Sequence, residues 1–301
     1  MMFNGVEIMT PILLAALGGL FAEMAGVLNI ALEGLILIGA FTGILVAAST
    51  NSLMVGMMAA AVAGGLLAWL LAWVTSRLKA NIFIAGLAVN LLAAGMIPFL
   101  STWIFGTKGV LRFPDLPRMP RLFEGVQTGL PLVDDLLFGH SVTVYLAWLA
   151  AVVAAVLLYR TPFGLRLRAT GARAESAVVS GVNAVRYRTI AIVVSGIAAG
   201  LAGSTISLRL GVYLPNISAG RGWIALVAIY LGYRTPLGIV IAALLFGFTD
   251  SLAGAAQGFL NIPGTILLGL PYAITVVAMI LYSAIRSTKP RRRRRRIDAH
   301  F

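Results

Sequence analysis

Long, nearly uncharged apolar runs limit what this chain can fold into more than any other feature of it. Crossing roughly 30 Å of hydrocarbon takes about 20 mainly apolar residues at ~1.5 Å each. Runs of that kind recur at 10–21 with its flanks, 35–49, 53–74, 82–100, 142–158, 190–208, 237–248 and 265–284. Only 11% of the residues are charged, 60% are apolar and the mean hydropathy is +0.97, whereas a soluble domain carries roughly 25% charged residues. The runs lack the strict alternation of apolar and polar residues that a membrane barrel requires. The expected fold class is therefore all-α: a polytopic transmembrane helical bundle of about nine spans, with eight to ten admitted. A single membrane domain over 1–285 and a basic tail over 286–301 account for the whole length.

One segment is irregular. Between 211 and 233 the only apolar stretch, 223–231, is too short to cross alone. It reads as a half-helix or re-entrant element buried in protein, and it counts as the seventh of nine crossings. No internal repeat is defensible by counting identities.

The basic residues orient the bundle. Lys and Arg in short loops stay cytoplasmic. Placing Arg77 and Lys79, the 159–188 interval, Arg234 and the C-terminus on one side puts 17 of the 23 basic residues there. In the opposite loop, 101–140, Lys108, Arg112, Arg118 and Arg121 are matched by Asp115, Glu124, Asp134 and Asp135. Nine crossings with the N-terminus outside and the C-terminus in the cytoplasm fit this split. The net charge of +13 is thus a topological signal. No aromatic residue interleaves the Arg291–Arg296 run, so nucleic acid is not an expected partner. Anionic lipid headgroups are one, at ~1 kcal/mol per basic residue near the surface.

Enzymatic chemistry has little to stand on. There is no G-x-x-x-x-G-K-[ST] phosphate cradle and no G-x-S-x-G elbow. His140 and His300 lack metal-ligand spacing, and the absence of cysteine excludes thiolate metal sites and disulfides. No Lys or Arg precedes Arg77, so a cleaved signal peptide is not expected.

Polar residues inside apolar runs carry more information, because ionisable groups in a bundle are costly. Glu23, Glu33 and Asp250 are candidates, with Asn29 and Asn90 as neutral companions. Two readings stand for each carboxylate: a place at a span end in the headgroup zone, or a place on an aqueous pathway. For Asn90 an interhelical hydrogen bond and pathway lining both fit. Glycines four apart (Gly39/Gly43, Gly196/Gly200, Gly254/Gly258, with Gly203 three beyond) give small faces on which helices approach closely, in moving or static bundles alike.

The interval 159–188 holds six arginines between two apolar runs. Inside it Ala174, Ala177, Val178 and Gly181 recur at i, i+3, i+4, i+7, one face of a short helix, with Gly181 a plausible left-handed stop. Such a helix is either a lever for another protein or an ordinary interfacial element.

Four strings in order, AGVLNIALEGLILIGAF (25–41), GLRLRATGARAESAVVSGV (164–182), SGIAAGLAG (195–203) and AGRGWIALVAIYLGYRTPLGIVIAALLFGF (219–248), resemble permease subunits of ATP-binding-cassette importers. The family also contains ribose and branched-chain amino-acid permeases, and the likeness is to its nucleoside and simple-sugar branch. The resemblance implies a bacterial cytoplasmic membrane location and a separate cytoplasmic ATPase that holds ATP-Mg, this chain carrying no cofactor. It implies a second, related permease chain, and an extracytoplasmic binding protein or lipoprotein facing the 101–140 loop. It also implies that the 173–182 segment is the coupling helix, with Arg173, Glu175, Ser176, Ala177, Val178 and Gly181 in its motif. Ser176 replaces the alanine of the Glu-Ala-Ala-x-x-x-Gly pattern, a departure from it. The absence of Lys or Arg deep in the spans suits a neutral solute. A branched-chain amino-acid permease is the alternative within the family. A transporter driven by an ion gradient through Asp250 or Glu33, or a nonconducting scaffold, is the alternative outside it.

Overall fold

A computed structural model describes residues 2–125 and 129–259 of the chain. Seven of its helices are long and apolar enough to cross a membrane. They are α1 (Met2–Met24), α2 (Leu32–Thr50), α3 (Leu53–Arg77), α4 (Ile82–Phe105), α6 (Val142–Arg160), α9 (Ala184–Leu210) and α11 (Pro236–Phe259). Between them lie β1 (Leu111–Arg112), α5 (Pro131–Leu137), α7 (Pro162–Ala172), α8 (Ala174–Val179), β2 (Val212–Tyr213) and α10 (Arg221–Leu231). The expected ninth span at 265–284 and the basic tail lie outside the described residues.

Local chemistry sets the helix ends. The Ser52, Asn81, Thr161 and Asn183 side chains accept hydrogen bonds from the amides of Val55, Phe83, Gly164 and Arg186 and so cap α3, α4, α7 and α9. Gly106 and Gly211 close α4 and α9 in the left-handed region. The helices outrun the apolar windows. α1 starts at Met2 instead of near residue 10, and α4 continues past Pro98 to Phe105. The loop expected over 101–140 therefore begins at Gly106 and contains α5 and β1. A two-residue antiparallel ladder, Leu111↔Tyr213 and Arg112↔Val212, is the one strand pairing among the described residues of an otherwise helical fold.

The core is built around α1 and α9. From Gly5 to Ala22 every residue of α1 except Ile8 is buried, enclosed by α6, α9, α10 and α11. α9 packs on α1, α2 and α3, and glycines make that approach possible. A Cβ on Gly203 would fall on the Ile36 carbonyl, and one on Gly200 would fall on the Ala60 carbonyl. These two glycines allow a close contact, while Gly254 faces nothing within 4 Å among the described residues. The flanks of α3, α4 and α6 expose Leu66, Trp69, Leu91, Phe99, Trp103 and Leu149, as a surface solvated by lipid would.

Contacts sort the two ends of the bundle. Arg234 pairs with Glu23 at 2.8 Å, Arg188 reaches the Ala25 carbonyl, and Gly171 lies against Met24 and Gly26. The 159–188 interval, Arg234 and the C-terminal end of α1 thus share one end. At the other end Glu7, Ser141 and Arg209 meet.

Candidate functional site

The helical path is broken between α1 and α2, where residues 25–31 form no continuous helix. Backbone groups freed there need partners away from water, and two asparagines supply them. Asn29 accepts from the Ala31 amide at 3.1 Å and donates to the Ser195 hydroxyl of α9 at 3.0 Å. Asn90 of α4 accepts from the Gly34 amide at 2.8 Å and donates to the Ile30 carbonyl at 3.0 Å. Asn90 lies eight residues into α4, about 12 Å along its axis. α2 therefore starts well inside the bundle. Asn90 thus makes an interhelical hydrogen bond, with backbone instead of another side chain.

Glu33 lies beside this break. Its carboxylate accepts from the Ser218 hydroxyl, from the Gly220 amide at 2.8 Å and from the Gly222 amide at 2.7 Å. Those amides are the open donors at the start of α10, where a carboxylate is favoured by the helix dipole. Gly222 is required by the closeness: a Cβ there would lie 2.6 Å from the Glu33 Cα. One carboxylate thus ties the start of α2 to the start of a second interrupted helix. α10 has 11 residues, about 16 Å. It runs from this inner point to the basic end, where the Tyr230 hydroxyl donates to Glu23 at 3.1 Å. The half-helix expected from sequence is present.

Asp250 of α11 pairs with Arg221 at 3.4 Å. Arg221 lines a small pocket with Glu7 and Arg209 at the end of the bundle that holds the Glu7 cluster, its side chain 20% exposed. Glu23 does lie at a helix end, paired to Arg234.

At the basic end the helix expected over 173–182 is present as the six-residue α8, and a second helix, α7, precedes it. Pro162 at the first turn and the Thr161 cap start α7, and Arg173 separates α7 from the six-residue α8. α8 closes in a Schellman motif: Val182 donates to the Ala177 carbonyl and Gly181 to the Val178 carbonyl, both at 2.9 Å, with Gly181 at φ +80°. The left-handed stop at Gly181 is as expected. Of the predicted face only Ala177 is buried, and Ala174 is half-buried. Arg173, Glu175, Ser176, Val178 and Gly181 are exposed, and Val179 is 89% exposed. α7 anchors this pair, since Gly171 abuts Met24 and Gly26 at the break between α1 and α2. The α7–α8 pair is thus in contact with the segment that carries Asn29 and leads to Glu33.

Sequence reasoning missed Glu7. It accepts from the Ser141 amide at 2.8 Å and hydroxyl at 2.9 Å, and lies 3.7 Å from both Arg209 and the fully buried His140. The cluster pins the end of the 106–141 loop to α1 and α9. A carboxylate three residues before Thr10, ahead of an apolar run with no cation near it in sequence, was the available signal. Beside the cluster a cavity of about 1400 Å³ opens at this end, lined by Arg112, Arg118, Arg121 and Arg209 with Glu7, Glu124 and Asp250. Its lining is of mixed charge.

The chain was compared with known proteins. It is 33% identical to the guanosine ABC transporter permease protein NupQ of Bacillus subtilis, over 89% of this chain and 87% of that protein. It is 33% identical to the putative glucose ABC transporter permease protein TsgC13 of Haloferax volcanii, over 95% and 92%. It is 30% identical to the nucleoside ABC transporter permease protein NupC of Lactococcus lactis, over 91% and 89%. No solved structure matches the chain. Residues 1–284 match the family described as branched-chain amino acid transport system / permease component, and with its interrupted helices and membrane-length spans the chain belongs to that family.

Proposed function

We propose that this chain is the permease subunit of an ATP-driven importer, forming with a second permease the pathway for a small neutral solute, a nucleoside or simple sugar. The relatives named above are permeases of such systems, and the internal charges agree with a neutral cargo. An open helix N-terminus attracts anions, but the amides of α10 are occupied by the chain's own Glu33, and Arg221 is matched by Asp250. The interior thus offers no unspent charge at the break. This is the observation that carries the reading.

A separate ATPase, carrying ATP-Mg, docks on α8 and its flanks at Arg173, Glu175, Ser176, Val178 and Gly181, and its closure is passed through α7 to the 25–31 break. A binding protein or lipoprotein delivers solute to the cavity beside the Glu7 cluster. The N-terminus is outside and the C-terminus cytoplasmic, in a bacterial inner membrane. Residues 211–231 supply the seventh of nine crossings, within one permease domain over 1–285 followed by a basic, lipid-facing tail. The gradient-driven alternative needs a carboxylate free to titrate. Each of the four in the long helices among the described residues, Glu7, Glu23, Glu33 and Asp250, is engaged.

Reconstitution tests the proposal. The assembly with its ATPase, companion permease and binding protein is expected to accumulate labelled nucleoside or sugar only with ATP. Uphill uptake by this chain alone, or uptake driven by a proton gradient without ATP, would falsify it.

A further inference from the structure

A second cavity, of about 250 Å³, lies between α4, α2 and the segment leading into α10. Its size is just below the roughly 300–1,000 Å³ of small-molecule pockets. We propose that it is a solute subsite of the pathway, taking a neutral ring that bears both hydrogen-bond donors and acceptors. The inference rests on the functional reading above and assigns residues to it.

The Tyr213 side chain carries the argument. Tyr213 is 3% exposed, its ring packed edge-on against Phe41 at 5.3 Å, and it lines the cavity. The Tyr213 hydroxyl makes no hydrogen bond among the described residues and is not sealed off by protein, so it is open to a partner from the cavity. Three residues on, Asn216 holds the left-handed region at φ 56° and lines the same space with a free amide side chain. From the opposite wall come acceptors. Pro98 has no N–H for the Ala94 carbonyl four residues back, and both residues line the cavity. The Ser101 hydroxyl donates to the Thr107 carbonyl at 2.7 Å, fixing the turn that brings Lys108 to the rim.

These groups select by chemistry. Amide, phenol, ammonium and carbonyl together satisfy a solute with several hydroxyl or amide groups, while Leu37 and Ile97 offer an apolar wall to the flat side of a ring. No carboxylate lines the cavity among the described residues. An amino-acid ammonium would find no countercharge there, so the site favours nucleoside or sugar over the amino-acid alternative.

The test uses the whole importer in proteoliposomes, with labelled uridine and labelled glucose as probes. Tyr213→Phe is expected to lower the solute moved per ATP at least five-fold, at saturating loaded binding protein, with stimulated ATP hydrolysis unchanged. The chain has no cysteine, so Asn216→Cys gives it a single thiol. Maleimide labelling of that thiol is expected to slow several-fold when the transported solute is added. An unchanged transport ratio in Tyr213→Phe, with labelling of Asn216→Cys indifferent to solute, would overturn the assignment while leaving the importer reading intact. A wild-type importer that moves neither probe with ATP would instead remove the functional reading, and this subsite with it.

Discussion

Glu33 on α2 accepts the amide proton of Gly222 on α10 at 2.7 Å, across 189 positions of sequence. The same carboxylate holds Gly220 and Ser218, so its removal strands donors at the start of a helix that begins inside the bundle. Each buried donor left without a partner costs about 1–3 kcal/mol. Glu33→Ala is expected to lower the melting temperature of the purified chain in detergent clearly, and Glu33→Gln, which keeps one acceptor oxygen, by less. A Glu33→Ala protein that melts with the wild type would show that α10 does not depend on this cap.

Asn90 gives a second, independent measure of the break. Its two bonds, to Gly34 and Ile30, are each worth about 1 kcal/mol. Asn90→Ala is expected to destabilise by about 2 kcal/mol, and Asn90→Asp, which keeps the acceptor but loses the donor to Ile30, to fall between. Thermal unfolding monitored by tryptophan fluorescence would separate the three.

Val179 addresses coupling without touching the core. At 89% exposure, its replacement by glutamate should change stability by no more than about 0.5 kcal/mol. ATP-dependent uptake by the assembled importer is nevertheless expected to fall more than ten-fold, with weaker co-purification of the ATPase. Full uptake by Val179→Glu would rule out α8 as the docking element.

Two glycines offer a contrast within one residue type. Gly203→Val places side-chain atoms where the Ile36 carbonyl lies and should prevent assembly, seen as loss of the monodisperse peak in size exclusion. Gly254→Ala meets nothing within 4 Å among the described residues and should elute and melt as wild type.

The bundle was readable from sequence because hydropathy reports which segments leave water, and seven long helices fall on the apolar runs. Half-helix α10 was readable for the same reason: 223–231 is apolar yet too short. The left-handed stop at Gly181 followed from backbone sterics alone. What lay beyond reach was pairing. Glu33 looks like an interfacial residue because its partners are main-chain amides, which every residue but proline carries and which leave no mark in a sequence. Arg221 and Asp250 are 29 positions apart and joined only by the packing of α10 on α11. Glu7 was overlooked because its partners come from a loop and a helix more than 130 residues away. A faint likeness between the two breaks becomes visible once their geometry is known. Leu28-Asn29-Ile30 precedes Glu33-Gly34 much as Pro215-Asn216-Ile217 precedes Arg221-Gly222, each opening a helix inside the bundle.

The enclosure of α1 has a consequence for biogenesis. This segment leaves the ribosome before α6, α9 and α11, yet those three later segments form most of its sheath. Its small, apolar surface must then wait in lipid, and Glu7 must wait without Ser141 or Arg209, until some two hundred further residues have been threaded into the bilayer. Maturation of this chain is therefore paced by its latest-arriving helices, and lesions in α11 would strand its earliest one.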